Sequence, residues 1–112
     1  MSDEVKKCLQ DIIDSINSID EYLGENRSFI YYEQNKQLRR SVEREIEIAG
    51  EAMNRVIKFD ENLKIENGKN LINMRNRIIH AYDAIDNAII WNIVQRHLQP
   101  LKTELQKLMT NE

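Results

Sequence analysis

Between Asp3 and Leu23 the apolar residues Val5, Cys8, Leu9, Ile12, Ile13, Ile16, Ile19 and Leu23 return at intervals of three and four. That spacing lines one side of a 3.6-residue helix, whereas a strand alternates with a period of two. A stripe this long must be covered by other stripes, so the chain has to fold as packed helices. The partners are present. Leu38, Val42, Ile46, Ala49, Met53 and Ile57 form a second stripe in a helix from about Asn35 to Lys58. Ile90, Ile93, Val94, Leu98, Leu101, Leu105 and Leu108 form another from Asn87 to Leu108. Three glycines and one proline among 112 residues leave few turns for a sheet. The expected fold is all-α, an antiparallel bundle of four to five helices making one domain over residues 1–112.

The punctuation between stripes refines this. Gly24 is a helix stop followed by turn residues Asn26 to Ser28, and a short helical piece fits Phe29 to Gln34. Gly50 lies inside the second long helix, where it costs about 1 kcal/mol relative to Ala. Such a glycine predicts a close approach by another backbone. Periodicity fails from Phe59 to Gly68, which reads as the main loop. A third helix follows over roughly Lys69 to Tyr82, Asp86 caps the last one, and Pro100 predicts a kink or break within it.

Charge and cysteine usage narrow the function classes. A net charge of −3 speaks against a general electrostatic grip on nucleic acid, although Arg39-Arg40 and Arg75/Arg77 could meet a few phosphates. No apolar run is long enough for a membrane helix, and Met1 to Lys7 lacks the apolar core of a signal peptide. The lone Cys8 reads as core filler in a reducing compartment. The expectation is a soluble cytoplasmic protein that needs no cofactor, since no His or Cys pair has ligand spacing and no carboxylates cluster as in two-metal nucleases.

The run Arg75-Asn76-Arg77-Ile78-Ile79-His80-Ala81-Tyr82 carries the chemistry. An arginine five residues before a histidine and a tyrosine two after it arise together by chance in roughly one such composition of two hundred. On an ideal helix Leu71, Met74, Ile78, Ala81 and Ile85 cluster as core. Arg75, Asn76, His80, Asp83 and Asp86 fall on a different arc, with Tyr82 at its edge. Arginine and histidine together suit RNA cleavage through the 2′-hydroxyl: the imidazole moves a proton near neutral pH, and the guanidinium stabilises the phosphorane-like transition state. The reaction needs both a base and an acid. A two-fold dimer bringing two copies of His80 to one cleft would supply both. Taken singly, each residue also has a plainer role. His80 and His97 would then be surface histidines, Arg77 and Arg39-Arg40 solvated charges, and Gly50-Glu51-Ala52 close helix packing with Glu51 steering a neighbour.

The pattern Arg75-Asn76-x3-His80-x-Tyr82 resembles the Arg-x4-His-x-Tyr signature of the HEPN superfamily in its HepT-like toxin branch. Val42-Glu43-Arg44 leading into Ala49-Gly50-Glu51-Ala52 resembles that branch's Gly-Glu-Ala segment. Ile78 to Asp83, Trp91 and Pro100-Leu101 resemble its last third. The resemblance implies a dimerising helical bundle, a metal-independent ribonuclease toxin, and a small nucleotidyltransferase antitoxin that adenylylates the motif tyrosine. By position it makes Arg75 and His80 the catalytic pair, Asn76 a polar helper and Tyr82 the modified residue; Arg77, on its charge alone, is a supporting phosphate-positioning candidate. The approach Glu66-Asn67-Gly68-Lys69-Asn70 departs from the Pro-Trp pair of many relatives, which leaves the geometry of that helix start open. A rival expectation is a non-catalytic helical interaction or regulatory subunit of a nucleotidyltransferase, since fold alone does not fix function.

Overall fold

The computed structural model describes residues 1–80 and 84–111. Among them are six helices and no strand: α1 (Asp3–Leu23), α2 (Phe29–Gln34), α3 (Lys36–Phe59), α4 (Gly68–His80), α5 (Asn87–Arg96) and α6 (Leu98–Thr110). Local chemistry sets their ends. The Ser2 side chain accepts the Val5 N–H at the start of α1, and Asp3 and Glu4 complement the helix dipole in the first turn. Gly24, at φ 58°, ends the helix by donating its N–H to the Asp20 carbonyl. Asn35 and Asp86 cap α3 and α5 in the same way as Ser2.

The long helices α1 and α3 form the centre of the fold and run antiparallel. Cys8 lies near Arg55, while Tyr22, further along α1, donates a hydrogen bond to Glu45, earlier on α3. Every residue of the first expected stripe is buried, so the 3.6 period translates directly into core. On α3, Leu38, Val42, Ile46, Ala49 and Met53 are buried as expected, but Ile57 is 48% exposed and Val56 takes its place. Steps of four each advance about 40° around a helix, so the stripe needs a step of three after Met53 to return to its centre.

The expected last helix is two helices, which accounts for part of the larger helix count. The break falls at His97, not at Pro100. Pro100 sits in the first turn of α6, where an N–H would have no intrahelical acceptor, so its missing donor is harmless there. Near the other end of the bundle, Trp91 of α5 stacks obliquely on Tyr32 and Phe29 of α2, with ring centroids 5.2 and 6.1 Å apart. Burial, and secondarily the Glu43 carboxylate, pushes the Tyr32 phenol well above its ordinary pKa. The Arg39-Arg40 pair tightens this corner: Arg39 donates to the Glu33 carbonyl, and Arg40 pairs at 2.9 Å with the buried Glu43.

Candidate active site

Helix α4 carries the motif from Arg75 to His80, and two long-range contacts position it. At its start no Ser, Thr or Asp caps the helix locally. Instead the Glu104 carboxylate of α6 accepts the Glu66 N–H at 2.7 Å and the Asn67 N–H at 3.3 Å, with a further bond from the Asn67 side chain. An acid from elsewhere in the chain thus ties down the two residues that lead into Gly68, the first of the helix. This is how a chain without a Pro-Trp approach fixes the start of its motif helix.

At mid-helix α4 packs on Gly50. A Cβ built there would lie 2.4 Å from Arg75 Cβ, 2.8 Å from Arg75 Cγ and 3.3 Å from the Leu71 carbonyl. Gly50 therefore marks the close approach its sequence position predicts, and what it admits is the arginine of the motif. Leu71, Met74 and Ile78 are buried on the core side of α4, as the helical wheel requires. Ala81, Tyr82 and Asp83 lie outside the described residues.

With its stem against Gly50, Arg75 turns its guanidinium to the next residue of α3. Arg75 Nη2 meets Glu51 Oε2 at 2.9 Å, Nη1 donates to Asn76 Oδ1 at 3.2 Å, and the buried Nε has no partner. Glu51 also lies 3.9 Å from Arg55. An open groove of about 540 Å³ runs here between α3 and α4 beside α1, where Arg44, Arg55 and Arg75 are interleaved with the carboxylates Asp11, Glu47 and Glu51, and Ile48 and Ile79 add apolar surface. Such an arrangement can hold an anion against two or three guanidinium groups once the carboxylate moves aside.

The other expected site residues are placed differently. Asn76 is half-buried beside Arg75 and bonded to it. His80 is exposed and does not line the groove. Arg77 lines a separate small pocket between α4 and α5, with Met74, Ile78, Asp86 and Ile90. His97 sits at the α5–α6 junction, 3.5 Å from the Asn70 amide. Sequence reasoning passed over Arg44 and Arg55, although Arg44, Ile48, Glu51 and Arg55 stand at i, i+4, i+7 and i+11 and so share one face. Glu104 gave no local signal, because its bonds cross 37 and 38 residues. No group of three or more potential metal ligands occurs among the described residues, and no helix among them is long and apolar enough to cross a membrane.

Residues 10–108 match the family described as Ribonuclease HepT-like. A candidate RNase of Methanocaldococcus jannaschii is 34% identical over 105 residues, which covers 92% of this chain and 94% of that protein. The probable ribonuclease HepT of Thermococcus cleftensis is 31% identical over 107 residues, again 92% and 94% of the two chains. A gamma-glutamylcyclotransferase and candidate RNase of Methanocaldococcus jannaschii is 33% identical over 110 residues, 97% of this chain but 49% of that longer protein. No solved structure matches. The match runs through nearly the whole sequence and agrees with the helical bundle, and the chain belongs to the HepT-like ribonuclease family.

Proposed function

We propose that this ribonuclease is a metal-independent endoribonuclease toxin that cleaves RNA through its own 2′-hydroxyl, with Arg75 and His80 as the catalytic pair. The observation that carries the reading is the seating of Arg75: its stem is fixed by Gly50, and its guanidinium opens onto a groove on the helix that also bears His80. In the reaction an imidazole takes the 2′-hydroxyl proton and O2′ attacks the neighbouring phosphorus. The P–O5′ bond breaks, and the departing O5′ receives a proton from an imidazolium. Arg75 offsets the charge that builds on the non-bridging oxygens. Asn76, bonded to Arg75, holds the guanidinium in plane, and Arg77 supplies a second, outlying contact to phosphate.

Within one protomer Arg75 and His80 do not share a cavity. Five residues correspond to about 140° around an ideal helix, so one side chain enters the groove while the other faces outward. This supports a homodimer with the motif helices facing one another, in which two copies of His80 serve one cleft as base and acid. A dimer of one wild-type and one His80→Ala protomer keeps a single imidazole in the cleft and should then cleave no faster than the His80→Ala homodimer.

The cognate small nucleotidyltransferase antitoxin acts, in this reading, on Tyr82. The phenolic oxygen attacks the α-phosphorus of ATP, pyrophosphate leaves, and AMP stays on the tyrosine. The added phosphodiester is an anion that pairs with arginine and repels the RNA backbone. Intact-mass measurement after co-expression should show AMP on the wild type and none on Tyr82→Phe. An unmodified Tyr82 in a neutralised complex would mean inhibition by binding alone. The test of the enzyme itself is RNA breakdown by purified protein in EDTA. Wild type should cleave, while Arg75→Ala and His80→Ala should lose at least a hundredfold of the rate. Equal activity in wild type and His80→Ala would overturn the assignment.

A further inference from the structure

On α3 the side chains of Arg44, Ile48, Glu51 and Arg55 lie along one face, because eleven residues make almost three whole turns. Arg75 reaches that face from α4 at the level of Gly50. Along the α3 axis Arg75 therefore stands about 9 Å from Arg44 and about 7.5 Å from Arg55, at 1.5 Å per residue. Three arginines in a row, at backbone levels spaced by little more than one nucleotide, form a track for a polyanion. Arg44 and Arg55 are 69% and 58% exposed, so either can swing onto a phosphate.

The track is masked in the free protein. Arg44 is paired with Glu47 at 3.2 Å, and Glu51 stands between Arg75 at 2.9 Å and Arg55 at 3.9 Å. A carboxylate placed between two guanidinium groups occupies the position that a phosphate would take. Ile48 and Ile79, both 38% exposed in the same groove, offer an apolar surface against which a base can rest. The masking also agrees with a chain of net charge −3, whose only route to binding RNA is a local one.

Building on the proposed ribonuclease activity, we infer that the α3–α4 groove is the track for the RNA backbone. Single-stranded RNA enters by displacing the Glu51 carboxylate: the phosphate that replaces it is held by Arg75 and Arg55 together, and Arg44 takes a neighbouring phosphate. Glu51 is thus an internal competitor for substrate as well as a holder of Arg75. The Glu51→Gln variant separates these roles: its amide oxygen can still accept from Arg75, but its charge is gone.

The test is fluorescence anisotropy with a short single-stranded RNA in which every 2′-hydroxyl is methylated, so that it binds without being cut. Arg44→Gln and Arg55→Gln should each weaken binding roughly five- to tenfold. Each should also reduce the slope of log affinity against log salt by about 0.7. Arg96→Gln, outside the groove, should bind as wild type, and Glu51→Gln should bind severalfold more tightly. Wild-type affinity in both Arg44→Gln and Arg55→Gln would overturn the track, and unchanged or weaker binding by Glu51→Gln would overturn the displacement. If wild type still cleaves RNA in EDTA, those failures leave the ribonuclease reading standing. A wild type that neither binds nor cleaves RNA removes both.

Discussion

Substitution of Gly50 by alanine sets two effects of known sign against each other. In a helix interior the change should stabilise by about 1 kcal/mol through propensity alone. The structure opposes this, because the new methyl group would lie 2.4 Å from Arg75 Cβ and 2.8 Å from Cγ. Carbon atoms pack at roughly 3.5 Å, so α4 would have to retreat by about 1 Å. The obstructing atoms are the stem of a side chain on a packed helix, which has no rotamer that moves its own Cβ. Overpacking of this kind costs about 1–3 kcal/mol, so the net change is a loss of about 1 kcal/mol, or roughly 4 °C in Tm for a chain of this size. The same shift carries the Arg75 guanidinium away from the place proposed for the substrate phosphate, and a 1 Å displacement of a positioning group costs on the order of a hundredfold in rate. Thermal denaturation and RNA cleavage of Gly50→Ala measure both effects. A variant that melts higher than wild type and cleaves at the wild-type rate would refute the close approach and the role assigned to it.

Three further outcomes follow from the packing. Gly68→Ala should change stability by less than about 1 kcal/mol, because the nearest atoms to its Cβ belong to the flexible Met53 side chain, with Sδ at 3.0 Å and Cε at 3.3 Å; a loss as large as that of Gly50→Ala would contradict this. Glu104→Ala removes the acceptor for two backbone N–H groups at the start of α4 and should cost about 1–2 kcal/mol. Hydrogen exchange should then quicken at Glu66 and Asn67, and unchanged protection there would show that Glu104 does not hold the helix start. The Cys8 thiol is buried and its pKa is raised by that burial, so less thiolate forms at a given pH than on an exposed cysteine; labelling by a thiol reagent should be slow in the native protein and fast in denaturant.

The all-helical fold was legible because its determinants are local. The stripe of α1, the stop at Gly24 and the cap at Asp86 each act within one or two turns, and each is found where the sequence places it. Ile57 was misplaced because a repeat of fours drifts around the helix, and only packing against α1 decides where the step of three falls. The Pro100 break was displaced to His97 because the first turn of a helix tolerates a missing N–H and its interior does not. For the candidate site, the motif residues were visible as a spacing, and Gly50 as an anomaly within a helix. The sequence could not show that the two meet, that Glu51 neutralises Arg75, or that Glu104 reaches across from α6. Those contacts join residues far apart in the chain, and no local pattern encodes them.

The 2′-hydroxyl is the proposed nucleophile, and the ends of the cleaved RNA report on this directly. Purified protein incubated with single-stranded RNA in EDTA should leave 2′,3′-cyclic phosphate and 5′-hydroxyl ends. The same oligonucleotide with a single 2′-deoxy residue at the cleavage position should remain intact there. Products bearing 3′-hydroxyl and 5′-phosphate ends, or cutting at the deoxy position, would contradict the mechanism assigned to Arg75 and His80.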